Sequence, residues 1–186
     1  MKGMPEANGQ YAVAVRIVAI LYLFPLAVES SFFPSLVGTR STSLLRYFRR
    51  TEQLMRAMFY LALVMVIPAS LGGRWAIELL FGPEYRTGAL LYAVFSFKIL
   101  LVYPGLIYGK WYLAEGMQKL SLLISVVCAL FNIVLNYFLI RRFGVFGAVY
   151  ATLAVTFCSY FLFPLPFRKG RQGVRLFLRA MLPVFR

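Results

Sequence analysis

The sequence predicts an all-α transmembrane helical bundle, and three observations lead there. Hydrophobic residues make up 61% of the 186 residues and the mean hydropathy is +0.77, against roughly 45–50% apolar in a soluble domain. Charged residues are only 14% of the chain, and they cluster between long apolar runs, whereas a soluble helix carries charge along one whole face. Two of those runs, residues 120–140 and 143–167, contain no charge at all. An uncharged run of about 20 residues is long enough to cross a hydrocarbon core of about 30 Å at roughly 1.5 Å per residue.

Five spans are expected. The first covers residues 11–33 and is interrupted by Arg16 and Glu29. The second, 54–71, is uncharged around its centre except for Arg56 at its start. The third, 88–113, holds one charge near its middle, Lys98. The fourth and fifth are the uncharged runs, the fourth with Asn132 and Asn136 four residues apart. The late start of the first apolar stretch, with no small-residue cleavage site after it, argues against a cleaved leader. Between the spans, residues 37–56 read as a basic, polar loop. Residues 72–89 read as a short amphipathic helix ended by Gly82-Pro83. Residues 109–119 read as a short turn at Gly116, and Arg141, Arg142 and Gly144 as a hairpin tip. The domain organisation expected is a bundle over 1–172 and an interfacial or clipped sixth helix over 173–186. Arg175 and Arg179, four apart in that tail, share a face suited to lipid headgroups.

Lys and Arg collect on the cytoplasmic side of membrane proteins. With five spans, Arg40, Arg46, Arg49, Arg50, Arg56, Lys110, Lys119, Arg168, Lys169, Arg171, Arg175 and Arg179 fall on one side. Lys2, Arg74, Arg86, Arg141 and Arg142 fall on the other. The larger group is assigned to the cytoplasm, which turns the 141–144 hairpin outward.

The net charge is +14, from 20 Lys+Arg against 6 Asp+Glu. In so apolar a chain that charge suits anionic lipid or an anionic substrate better than nucleic acid. All the acids are Glu, and there is no His. That composition tells against a metal or acid–base enzyme, so no catalytic residue, metal or cofactor is expected. Cys128 and Cys158 lie inside apolar runs and read as small buried hydrophobes. Trp75, Trp111 and Tyr112 sit near span ends, where aromatic belts form.

A charge at the bilayer centre costs about 2.5–3.5 kcal/mol on insertion scales, so it requires a partner or a watery cavity. Arg16 either lines such a cavity or snorkels outward. Lys98, deeper in its span, suits a cationic cavity or an ion pair. Glu29 lies nearer its span end and is the acid available within the spans. Asn132 and Asn136 share one helix face and either bond across helices or line a polar cavity. These five residues are the candidate substrate-binding set. Pro25, Pro68 and Pro104 each fall in a span and are kink candidates, with Pro104-Gly105 the strongest hinge. Gly144, Gly147, Ala148 and Ala151 recur at three- and four-residue spacing, which lets two helices approach closely.

Three stretches, taken in order, resemble the C-terminal half of the MOP (multidrug/oligosaccharidyl-lipid/polysaccharide) flippase superfamily, and most nearly its Wzx-type O-antigen and polysaccharide flippases. They are "GQYAVAVRIVAILYLFPLAVESSFFPSL", with Gly9-x-Tyr11-x-x-Ala14 and Pro34; "LLFGPEYRTGALLYAVFS"; and "LAEGMQKLSLLISVVCALFNIVLNYFLIRRFGVFGAVYATLAV". The resemblance covers about residues 9–167. It implies alternating access by two six-helix bundles around a central cationic cavity. The implied cargo is an undecaprenyl-diphosphate-linked oligosaccharide, a repeat unit of O-antigen (lipopolysaccharide) or another polysaccharide. The implied location is the bacterial inner membrane. Arg16 and Lys98 match no fixed motif position of the family and rest on the intramembrane-charge argument alone. The family carries about twelve to fourteen spans, so the chain is expected to need a missing first six-helix bundle as partner, besides membrane lipids. The alternatives are a lipid II or drug exporter of the same superfamily and a truncated, non-transporting membrane subunit.

Overall fold

The computed structural model describes residues 4–182, without the side chains of 4–8, 33–37, 39, 41, 42 and 74. Lys2 and the outer ends of the two expected domain spans lie outside the described residues, as do the side chains of Pro34 and Arg74. Among the described residues eight α-helices follow in order: α1 Met4–Leu21, α2 Leu23–Thr42, α3 Leu44–Phe81, α4 Arg86–Ser96, α5 Ile99–Ala114, α6 Gln118–Phe143, α7 Val145–Phe161 and α8 Arg168–Met181. A single 3₁₀ turn, Pro83–Tyr85, precedes α4. Among the described residues there is no strand. The chain is an all-α membrane helical bundle.

Three stretches are long and apolar enough to cross a membrane: Gly9–Phe32, Leu44–Gly73 and Gln118–Phe143. A fourth is a pair bent by 45°, Pro83–Ser96 with Ile99–Ala114. Among the described residues, three of the five expected spans, or four with the bent pair taken as one, thus have the length and apolarity to cross. The fifth run folds as the shorter α7, 17 residues long. Its helix stops at Phe161 because Pro164 and Pro166 have no N–H to donate and hold the residues before them out of helical geometry. Residues 162–167 turn instead, with the Leu165 and Phe167 amides bonded three residues back, at 3.2 and 3.1 Å.

The long polar loop expected over 37–56 is absent. Helix α2 runs to Thr42 and α3 starts at Leu44, so the connection is Ser43 alone, in extended geometry. The short helix expected over 72–89 is the last part of α3, which continues unbroken through Pro68 to Phe81. It does end at Gly82, whose φ of 95° suits glycine. The 109–119 turn shrinks to 115–117 at Gly116, because α5 stays helical to Ala114. Pro104-Gly105 is not a hinge: the helix passes through it. The bend lies at Phe97 and Lys98, whose amides bond three residues back at 3.3 and 3.0 Å.

Pro25 does explain a break. In a continuous helix its amide would bond the Leu21 carbonyl, but proline has no N–H. The chain interrupts at Tyr22, and the Leu21 carbonyl accepts the Tyr103 hydroxyl from α5 instead, at 2.7 Å. A carbonyl buried without a donor would cost about 1–3 kcal/mol, so this bond ties the end of α1 to α5.

That contact is one rung of a ladder. The side-chain amide of Gln10 donates to the Glu84 carbonyl at 3.0 Å, and its oxygen accepts from the Gly88 amide at 2.8 Å. At the far end the Arg40 guanidinium meets the Glu115 carboxylate at 3.2 Å. Residues 10, 21 and 40 thus meet 88, 103 and 115 in the same order, so α1–α2 runs parallel to α4–α5. Helix α3 packs along α4 and α5 and against α2; the ring of Tyr92 occupies the space a side chain at Gly73 would need.

Helices α6 and α7 form a hairpin joined by Gly144 alone, with φ of 58°. Gly147 lets them touch: a Cβ there would collide with the Leu139 carbonyl. At the tip, Arg141 folds over the Tyr137 ring at 4.0 Å. Helix α8 turns its apolar face inward. Phe177 is fully buried, stacked on Tyr160 with centroids 5.3 Å apart and set edge-on to Tyr108 and Phe161.

Candidate functional site

The ladder sets the depth of the two intramembrane cations. Arg16 lies five residues before Leu21, and Lys98 lies five before Tyr103, the residue that bonds Leu21. At about 1.5 Å per residue each is roughly 7–8 Å from that rung and on the same side of it. Arg16, on α1, and Lys98, at the bend between α4 and α5, therefore lie at a similar depth in the bundle. Arg16 is exposed on α1 and Lys98 is half-buried at the bend. The Lys98 ammonium sits 5.3 Å from the Phe95 ring centroid, a cation–π distance. Among the described residues neither cation has a carboxylate within ion-pair distance.

Glu29 is different. It is buried at 7% exposure, and its carboxylate meets the Lys110 ammonium at 3.2 Å. The pair is the next rung of the ladder, between 21/103 and 40/115. The sequence suggested Lys110 as a loop cation because the turn was expected to begin at Gly109; with α5 extended to Ala114, Lys110 turns into the bundle. The acid that looked available for a cationic cargo is already matched to a lysine.

Among the described residues, Asn132 and Asn136 bond each other and not another helix. The Asn136 side-chain amide donates to the Asn132 side-chain oxygen at 2.8 Å and to its backbone carbonyl at 3.0 Å. Both are half-buried on α6, a helix in which only Ile124 is buried among the described residues. Their polarity is largely satisfied within the helix. The structure does not bring them to Arg16 or Lys98.

A feature missed in the sequence lies between α5, α6 and α7. A cavity of about 220 Å³ is lined by Gly105, Tyr108, Gly109, Tyr112, Ser121, Ile124, Ser125, Ser159 and Tyr160. The hydroxyls of Tyr108 and Tyr112 lie 3.2 Å apart. A Cβ on Gly105 would strike the Tyr160 hydroxyl. Two of the serines are already committed, Ser125 to the Ser121 carbonyl and Ser159 to that of Thr156. A signal was present: Gly105 and Gly109, then Tyr108 and Tyr112, each recur at four residues on one side of α5.

Two of the stretches that carry the family resemblance meet in space. Gln10, from the first, clamps Glu84 and Gly88 of the second through both ends of its side-chain amide. Their order along the chain thus corresponds to a packing contact at the start of two parallel spans.

No family model and no solved structure matches the chain. A curated relative does: over 156 residues, 78% of its length, the chain is 32% identical to the probable flippase AglR of Haloferax volcanii. The chain spans 31% of that protein, just under a third of its length.

Proposed function

We propose that the chain is part of a membrane flippase that carries an anionic, lipid-linked oligosaccharide across the bilayer by alternating access. The observation that carries this reading is the pair of intramembrane cations, Arg16 and Lys98, at a similar depth and, among the described residues, with no carboxylate within ion-pair distance. Such charges are costly in lipid and are retained where they meet a compensating group. A diphosphate linkage supplies one: Arg16 and Lys98 attract the headgroup while the lipid tail stays in the bilayer. The likeness to a probable flippase supports the class. The finer reading is the second bundle of a MOP-type, Wzx-like polysaccharide flippase, whose cargo is a repeat unit on undecaprenyl diphosphate. Its partner is then a first six-helix bundle, its location the bacterial inner membrane, and it acts without forming or breaking covalent bonds. The curated relative comes from an archaeon, which favours the transport class over any one cell envelope.

A cation-exporting relative of the same superfamily ranks lower. It would need an open intramembrane acid, and Glu29 is held by Lys110 at 3.2 Å.

The test is a chimera in which this chain replaces the matched segment of the probable flippase, reconstituted in liposomes. Translocation of a fluorescent lipid-linked diphosphate oligosaccharide is read with and without Lys98→Ala. Loss of one charge-assisted contact, about 1.5–3 kcal/mol, slows it by at least about tenfold. Unchanged translocation at equal membrane levels would remove Lys98 from the cargo path.

A further inference from the structure

We propose that the groove between the first turns of α3 and the exposed face of α8 binds the phosphate headgroup of one anionic membrane phospholipid. The groove encloses about 680 Å³ and is lined by Arg49 from α3 and by Arg175 and Arg179 from α8. These residues are far apart in the chain, and the docking of α8 brings them together. Glu52 is the acid on its wall, and Arg56 holds that carboxylate at 2.6 Å. Arg56 also donates to the backbone carbonyl of Arg179 at 3.1 Å, pinning α8 to α3. Three guanidinium groups therefore face a groove whose acid is already matched.

Helix α8 contains five Lys and Arg residues and no acid. Its apolar face is taken up by protein, since Val174, Leu176, Phe177 and Ala180 are all buried. It does not rest on the bilayer by that face, so the helix that carries these arginines is held by the bundle rather than by lipid. Guanidinium groups presented from a docked helix suit phosphate, which they bind bidentately. The wall adds an argument for lipid over a soluble phosphate. Leu45, 64% exposed, and Phe48 line the same groove, and a leucine beside a phosphate site has a use where an acyl chain continues from the headgroup. The groove lies at the Arg40–Glu115 end of the bundle, where the chain concentrates its cations.

The experiment uses the whole chain in detergent micelles, titrated with phosphatidylglycerol and followed by native mass spectrometry. One phosphatidylglycerol per chain should be retained, in preference to phosphatidylcholine. Arg175→Gln with Arg179→Gln should weaken retention by about 25-fold, roughly fivefold per arginine. Arg168→Gln with Lys169→Gln, the same charge removed about a Debye length along the helix, should weaken it by less than about threefold. Glu52→Gln should tighten it. Equal losses for the two double variants would mean diffuse attraction and overturn the site, as would equal retention of phosphatidylcholine. Displacement of the lipid by millimolar inorganic pyrophosphate would make this a soluble-phosphate site and overturn the assignment to lipid.

Discussion

Replacing Lys110 with Met should destabilise the bundle by about 3 kcal/mol, the lower end of what removing one partner of a buried ion pair costs. The structure sets the size. The ammonium and carboxylate are 3.2 Å apart, and their side chains are 32% and 9% exposed. At an effective dielectric of about 20 that separation gives roughly 5 kcal/mol of attraction, which desolvation of Glu29 largely offsets. The pair is asymmetric, because Lys110 reaches the surface and Glu29 does not. Glu29→Gln leaves a lysine that keeps access to water and should cost about 1–2 kcal/mol, while Lys110→Met strands a buried carboxylate and should cost more. The double variant should recover about 2 kcal/mol relative to the sum of the two, as contacting groups do. The assay is thermal unfolding in detergent, where 1 kcal/mol shifts the midpoint by about 2–4 °C for a chain of this length. Strict additivity, or a larger loss for Glu29→Gln than for Lys110→Met, would refute the assignment of Glu29 as the buried, dependent member.

Gly147→Leu should separate α6 from α7, since even a Cβ at that position meets the Leu139 carbonyl; Gly109→Ala, with nothing within 4 Å of its added carbon, serves as the control. The expected readout is loss of the monodisperse gel-filtration peak for the first variant alone. Tyr103→Phe should leave the Leu21 carbonyl without its donor and cost about 1–2 kcal/mol. Hydrogen exchange should quicken at residues 21–26, around the α1–α2 break, and an unchanged rate there would show that Pro25 needs no such substitute.

The fold was legible where a signal is local. The uncharged runs placed α6 and the start of α7, because length and absence of charge are enough to identify a span. Gly82, Gly116 and Gly144 marked three ends, because each takes a positive φ that disfavours side chains. Other features depend on distant partners. The 37–56 stretch looked like a loop from its charge, yet Tyr47, Thr51 and Met55 are buried within it, a helical face hidden among arginines. The α5 bend fell at Phe97–Lys98 and not at Pro104, and nothing in the local sequence marks that site. The same divide holds for the candidate site. Intramembrane charge picked out Arg16, Lys98 and Glu29, but not the pairing of Glu29 with Lys110. That pairing depends on which spans run side by side and in what register, and periodicity does not contain it.

The contrast between α1 and α6 bears on how this bundle would face its surroundings as part of a flippase. Helix α6 exposes Leu122, Leu130, Ile133 and Phe138 at more than 60% each. A helix apolar on nearly every side is stable only inside lipid or protein. With its asparagines bonded along its own axis, α6 asks nothing polar of a neighbour, and lipid is sufficient for it. Arg16 on α1 is exposed as well, but lipid is the one surrounding that does not suit it, at a cost of about 2.5–3.5 kcal/mol near the bilayer centre. Two exposed helices of one bundle thus require different solvents. Under the proposed function the exposed side of α1 therefore borders the aqueous path and the second bundle, while α6 borders the bilayer. The depth shared by Arg16 and Lys98 then marks the point on that path where a diphosphate would be held.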